Sequence, residues 1–282
     1  MGKESLVMGV SRIKTITIAA LLLVNAFFAA VIVVDTADDA RIGRQAIENA
    51  CAVLRSGGIS IDPDDIVTKS PITTMRTVRV DEAEAMIAQA VLGQTRMTDL
   101  GVIYMYENDE RGTAEFYSAG DFEIRLNDGA ITSESGPPRA AVQGILRDMG
   151  LETASLTVAL VDGNETVTVV AAYKGANIFN CTTDFIFSDG SLRTIKGRYV
   201  TGIEPAEDSA EIMQVGTALL GFLAWVRGGS AECSHIESVE AGYQHSVSGS
   251  FGEGAISPAW LITADSGRYI VDDATGEIWP MA

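Results

Sequence analysis

From Thr15 to Val34 the chain carries no charged residue and is almost wholly apolar, and beyond it helical and strand periodicities alternate. Twenty residues at about 1.5 Å each cover roughly the 30 Å of bilayer hydrocarbon, so this run predicts a transmembrane helix. After it, apolar residues at Ile42, Ala46, Ile47, Ala50, Val53 and Leu54 form one stripe and predict a helix over 40–55, stopped by Gly57 and Gly58. A strand over 73–80 leads into a helix over 81–92 closed by Gly93. Four short strands follow at 101–106, 112–117, 121–126 and 130–134, spaced by turn residues such as Asn127-Asp128-Gly129, as in an antiparallel meander.

The pattern then repeats. Gly136-Pro137-Pro138 marks a joint, followed by a helix over 139–149 with Gly150 as its cap and strands over 155–161, 165–173, 180–187 and 191–200. Asp162-Gly163 and Asp189-Gly190 are hairpin signals. A third round opens at Glu204-Pro205 with a helix over 206–226, ended by Gly228-Gly229, and strands over 234–247 and 259–279. The apolar stretch Met213–Val226 is too short to span a bilayer and is bounded by Glu211 and Arg227, which favours a buried helix. The expected class is α+β: an N-terminal transmembrane helix followed by helix-plus-antiparallel-sheet units. The division is a cytoplasmic stub at 1–14, the span at 15–34, and units at 37–135, 136–203 and 204–282.

Charge orients the span. Lys3, Arg12 and Lys14 precede it while Asp35, Asp38 and Asp39 follow, and basic flanks stay in the cytoplasm, so the large C-terminal part is expected outside the cell. A cleaved signal peptide is the rival, although its apolar core usually runs about 7–15 residues. The formal net charge of -18 and pI near 4.4 argue against nucleic acid, which requires clustered Lys and Arg. With 47% hydrophobic residues the acidic excess decorates a folded protein.

Chemistry-bearing patterns are sparse. Cys51, Cys181 and Cys233 are too widely spaced for a disulfide framework or a metal motif, and Cys51 reads as a small buried hydrophobe. His235 and His245 lie ten residues apart in strand-like sequence, which puts them on one face if a single strand holds both; solvated histidines are the plainer reading of a weak metal or acid-base pair. Asp62-Pro63-Asp64-Asp65 lacks the ligand spacing of a calcium loop and reads as a turn. The glycine-rich stretch Gly249–Gly254 has neither the helix nor the Lys of a phosphate cradle. Asn164 and Asn180 head the N-x-Thr glycosylation pattern, which is common by chance. No catalytic residue, metal site or cofactor is expected.

Two stretches carry a family resemblance. Ser11-Arg-Ile-Lys-Thr-Ile16 followed by Leu21-Leu-Leu-Val-Asn-Ala-Phe-Phe28 resembles the start of the YycI family, with Gly9-Val10 where a Trp is common, and Pro258–Ile278, with Thr275-Gly276-Glu277, is similar to that family's end and to PepSY-like domains. The resemblance implies a single-pass membrane protein, N-terminus cytoplasmic, that regulates a WalK (YycG)-type sensor histidine kinase of cell-wall homeostasis without catalysis, alongside a YycH-like partner. It also implies partner-binding residues within the span, at Asn25, Phe27 and Phe28. An amide in hydrocarbon is costly unless bonded, and a partner helix or a backbone carbonyl one turn away can bond Asn25. The alternatives are a PepSY-like module that binds or inhibits a secreted or cell-wall enzyme, and a solute-binding receptor.

Overall fold

The structure, a computed structural model, describes residues 41–67, 72–132, 138–206, 212–247 and 253–281. The expected span at Thr15–Val34, with Asn25, Phe27 and Phe28, lies outside the described residues. Among those residues no helix is long and apolar enough to cross a membrane.

The chain is α+β. In order it forms α1 (41–56), a 3-10 turn (Pro63–Asp65), β1 (Ile66–Val67), β2 (Met75–Thr77), α2 (Asp81–Leu92), β3 (Arg96–Asp99), β4 (Ile103–Asn108), β5 (Gly112–Tyr117) and β6 (Asp121–Leu126). Then come α3 (Pro138–Met149), β7 (Thr153–Val161), β8 (Asn164–Tyr173), β9 (Ala176–Ser188), β10 (Ser191–Arg198), β11 (Ile203–Pro205), α4 (Val215–Arg227), β12 (Ile236–Val247), β13 (Gly254–Ala264), β14 (Gly267–Asp272) and β15 (Ile278–Met281).

All the strands among the described residues belong to one 15-stranded sheet that changes character at β9. On one side β3-β4-β5-β6-β10-β9-β8-β7 is antiparallel throughout. Three of its turns are two-residue type I′ hairpins at Asp162-Gly163, Lys174-Gly175 and Asp189-Gly190, each with both residues at positive φ. That twist matches the twist of the flanking strands. On the other side β13 pairs antiparallel with β12, β14 and β2, and β11 lies on β2. The short β1 runs parallel to β12.

Each half buries one face under two helices. α2 and α3 cover the antiparallel half through Ile87, Val91, Val142 and Leu146 against Phe116, Ile124, Phe185 and Ile195. α1 and α4 cover the other through Leu54, Leu219 and Phe222 against Val239, Trp260 and Ile262. α4 lies against α1 with Gly216 facing Ala46 and Ala50. A smaller cluster of Phe179, Ala259, Leu261 and Ile270 lies apart from these, packed by Trp279 and Met281.

β5 and β6 fall where alternation predicts them. β4 starts two residues late because Gly101, at φ 88° with its N–H donating to the Asp99 carboxylate at 2.7 Å, turns the chain back from β3, a strand the pattern did not reveal. Of the expected helix over 206–226, positions 207–211 lie outside the described residues and α4 begins only at Val215. Residues 212–214 are held outside it: the Met213 N–H donates to the Asp273 carboxylate, and the Trp260 indole N–H donates to the Met213 carbonyl at 3.1 Å. Strand pairing also crosses the spans 37–135, 136–203 and 204–282, since β6 lies beside β10 and β2 beside β13.

Candidate functional site

Two connections pass between the halves side by side. β2 leaves through residues 78–80 to α2, and β10 leaves through 199–202 to β11, with the Val78 N–H donating to the Gly202 carbonyl at 3.2 Å. Polar side chains concentrate at this crossing. Glu84, on the inward face of α2, is wholly buried. Its carboxylate receives Arg79 Nε at 2.6 Å and Nη2 at 2.9 Å, and the Tyr199 hydroxyl donates to the same carboxylate. Arg79 is further fixed by the Phe116 carbonyl and by the face of Tyr104, 4.0 Å from its ring centroid. Burial and the Glu84 charge push the Tyr199 hydroxyl well above its ordinary pKa, and the bond to Glu84 raises Arg79 further. Tyr199 therefore stays protonated and Arg79 charged near neutrality. The trio is a lock that ties α2 to both crossings.

His245 lies beside it on β12, also buried. Its Nε2 is 3.4 Å from the Thr77 hydroxyl, while Nδ1 has no protein partner among the described residues. A void of about 20 Å³ lined by His245, Gly120 and Thr201 has room for a water and not for a substrate. Burial first, and the Arg198 charge second, lower the imidazole to about 4, with Asp121 partly offsetting. Arg198 and Asp121 pair through two bonds of 3.0 Å each.

His235 stands elsewhere. It precedes β12, and its Nδ1 is 2.9 Å from the hydroxyl of Ser60, which it meets in an isolated bridge. The nearby Asp265 carboxylate is taken up by the amide and hydroxyl of Ser234, so it does not orient the imidazole as a nucleophile-base pair requires. The two histidines have different surroundings, and no cluster of His, Cys, Asp and Glu able to hold a metal occurs among the described residues. Asp62 caps the 3-10 turn by accepting the Asp64 N–H at 3.0 Å, as a turn reading expects. Cys51 and Cys181 are buried, and all three thiols are free.

Asn180 is not free for a glycan. Its amide nitrogen donates to the His245 carbonyl at 2.7 Å and its amide oxygen accepts the His245 N–H at 2.8 Å. The side chain thus imitates a backbone rung and extends the parallel seam between β9 and β12, where Ile178 lies opposite Tyr243. The N-x-Thr pattern gave no sign of that role.

A groove of about 1040 Å³ runs along the first turns of α1. Ile42, Ile47, Met213, Val215, Ala241 and Trp260 supply its apolar wall, and Arg44, Glu48 and Asp64 its polar margin. Sequence periodicity places Ile42 and Ile47 on the helix stripe, but the wall also needs residues about 170 and 210 positions further on, which no local pattern brings together.

The chain matches no family model and no curated protein. It is similar to the crystal structure of an uncharacterized protein from Eubacterium rectale ATCC 33656, with a TM-score of 0.48 and 10% identity over 79% of this chain and 89% of that one.

Proposed function

We propose that the protein is a membrane-tethered regulator whose α+β domain lies outside the cytoplasm and acts on a WalK (YycG)-type sensor histidine kinase, without catalysis of its own. The observation that carries the proposal is the order of the chain: a basic stub, an uncharged apolar run from Thr15 to Val34, and then an acidic domain that opens on α1, already helical at residue 41. The resemblance of both chain ends to the YycI family supports the kinase as target and a YycH-like protein as companion. The groove along α1 is built from the first described residues after the run, which suits a regulator that couples its span to its domain.

Asn25, Phe27 and Phe28 are the residues of the span that meet the kinase. Asn25→Leu makes the run more apolar and should leave insertion intact, but it removes an interhelical hydrogen bond worth about 0.6 kcal/mol on average and about 1.7 at most. Partner affinity should fall roughly three-fold to fifteen-fold. The test is co-purification of the kinase, and its autophosphorylation, with wild type, Asn25→Leu and a version whose whole run is replaced by an unrelated apolar helix. Full control by the unrelated helix would reduce the span to an anchor. Loss of the run by cleavage would overturn the topology.

A further inference from the structure

Among the described residues the sheet has five strands with a neighbour on one side only, and four of them are protected: β1 is just two residues long. β3 is four residues long and carries Arg96 and Asp99; β11 is three residues long and ends in Pro205; β15 is four residues long and contains Pro280. Short length, charge and proline are the devices by which natural sheets keep foreign strands off their edges. β7 has none of them, and the single irregularity in its pairing, between Thr153 and Ser155, leaves Ser155–Val161 regular. It runs nine residues, Thr153-Ala-Ser-Leu-Thr-Val-Ala-Leu-Val161, without a charge or a proline, and pairs only with β8. Val158 is 44% exposed, Leu160 77% and Val161 49%.

β7 is also laid out for recognition. Leu156, Val158 and Leu160 share the face of Val169, Val167 and Glu165, which is the face α3 covers further in. The buried side of the sheet thus continues past its helices as an uncovered shelf of two aliphatic side chains. Outward N–H and C=O groups at alternate residues supply the bonds that an added strand would make. The surroundings are acidic: Glu152 precedes the strand, Asp162 forms its turn, and Glu165 faces Leu160. A second copy is a poor fit, since antiparallel β7–β7 pairing about Thr157 brings the Glu152 end of each chain beside the Asp162 end of the other, within a chain of net charge -18.

We infer that β7 is an interaction edge that takes up an extended, uncharged, β-branched segment of another protein, flanked at its ends by Lys or Arg, as an added strand. This goes beyond the regulatory reading and holds whichever protein supplies the segment.

The test uses the full chain in detergent micelles and a synthetic peptide of seven alternating Thr and Val residues with two Lys at each end. The peptide should bind and slow amide hydrogen exchange over Thr153–Val161. The same peptide with Glu at its ends should bind at least tenfold more weakly, and so should the Lys-ended peptide to the double variant Val158→Lys, Leu160→Lys, whose exposed positions leave the melting temperature near that of wild type. No binding by wild type, equal binding of the two peptides, or protection that appears elsewhere in the chain would overturn the proposal. A concentration-dependent dimer that the double variant abolishes would also overturn it, by making a second copy the occupant.

Discussion

His245 and Glu84 are both buried at one crossing and differ in the partners they meet there. Glu84 keeps company that suits a charge, with two guanidinium bonds and a phenol. His245 meets a hydroxyl and a lone void, so its neutral form is favoured and its pKa falls from 6.5 to about 4. In the unfolded chain the ring takes up a proton as pH drops below 6.5, while in the folded chain it does not until about pH 4. The unfolded state therefore binds more protons across that window, and the stability tied to this ring is lost as pH falls from 6.5 toward 4. At pH 5.2, still above the pI of about 4.4, the loss should be about 1.5–2 kcal/mol relative to pH 7.5. Urea midpoints of wild type and His245→Gln at the two pH values measure it: the variant should lose less stability than wild type by that amount. Equal losses would mean that water reaches the ring freely.

At the scale of elements the decisive piece is β9, which belongs to both halves of the sheet. Its first residues face β12 and its last face β10, so among the described residues it is the strand through which the two sides join in the sheet order. The seam depends on Gly242. A methyl group there would lie 2.4 Å from Phe179 Cζ and 2.6 Å from the Asn177 carbonyl oxygen, and the backbone atom has nowhere to go. Gly242→Ala should destabilise the protein by about 3 kcal/mol or more, through strain passed into β9. Gly216→Ala in α4 is the matched control. Its methyl would meet Ala46 O and Ala50 Cβ at 3.8 Å, ordinary contact, and replacing a helical Gly should gain up to about 1 kcal/mol. Thermal melts of the two variants should move in opposite directions. The hairpins at Asp162-Gly163 and Asp189-Gly190 were legible because Asp-Gly pairs state their own geometry, whereas the one at Lys174-Gly175 carried no such signal. The double membership of β9 was not legible, because alternation over Ala176–Ser188 records which faces are buried and says nothing of which strand lies alongside. The same limit hid Asn180, whose polar side chain works as main chain, and the start of α4, where Asp273 and Trp260, far along the sequence, hold Met213 out of the helix.

For the whole molecule, α+β character and helices covering antiparallel strands could be read from periodicity, since each is a local consequence of 3.6- and 2-residue repeats. The nesting of the two halves could not. One half is continuous in sequence from α2 to β10, whereas the other gathers α1, β1 and β2 from the start of the domain and β11 to β15 from its end, joining Ile66 to Val239 and Met75 to Ile256. This nesting sets an order of assembly. Contacts close in sequence form early and distant ones late, so the inner half should organise first while α1 waits, its apolar stripe uncovered, for strands that have yet to be made. Trp225, Trp260 and Trp279 all lie in the late half, so refolding followed by tryptophan fluorescence should show only the slow phase, and far-ultraviolet circular dichroism both. A fluorescence signal complete in the fast phase would refute that order. The element next to the apolar run is thus the last to be sealed, and a chain cut short anywhere before β14 would keep an open, sticky helix at that point for chaperones and proteases to find. The interleaved sheet works as a test of completeness, read out where the domain begins.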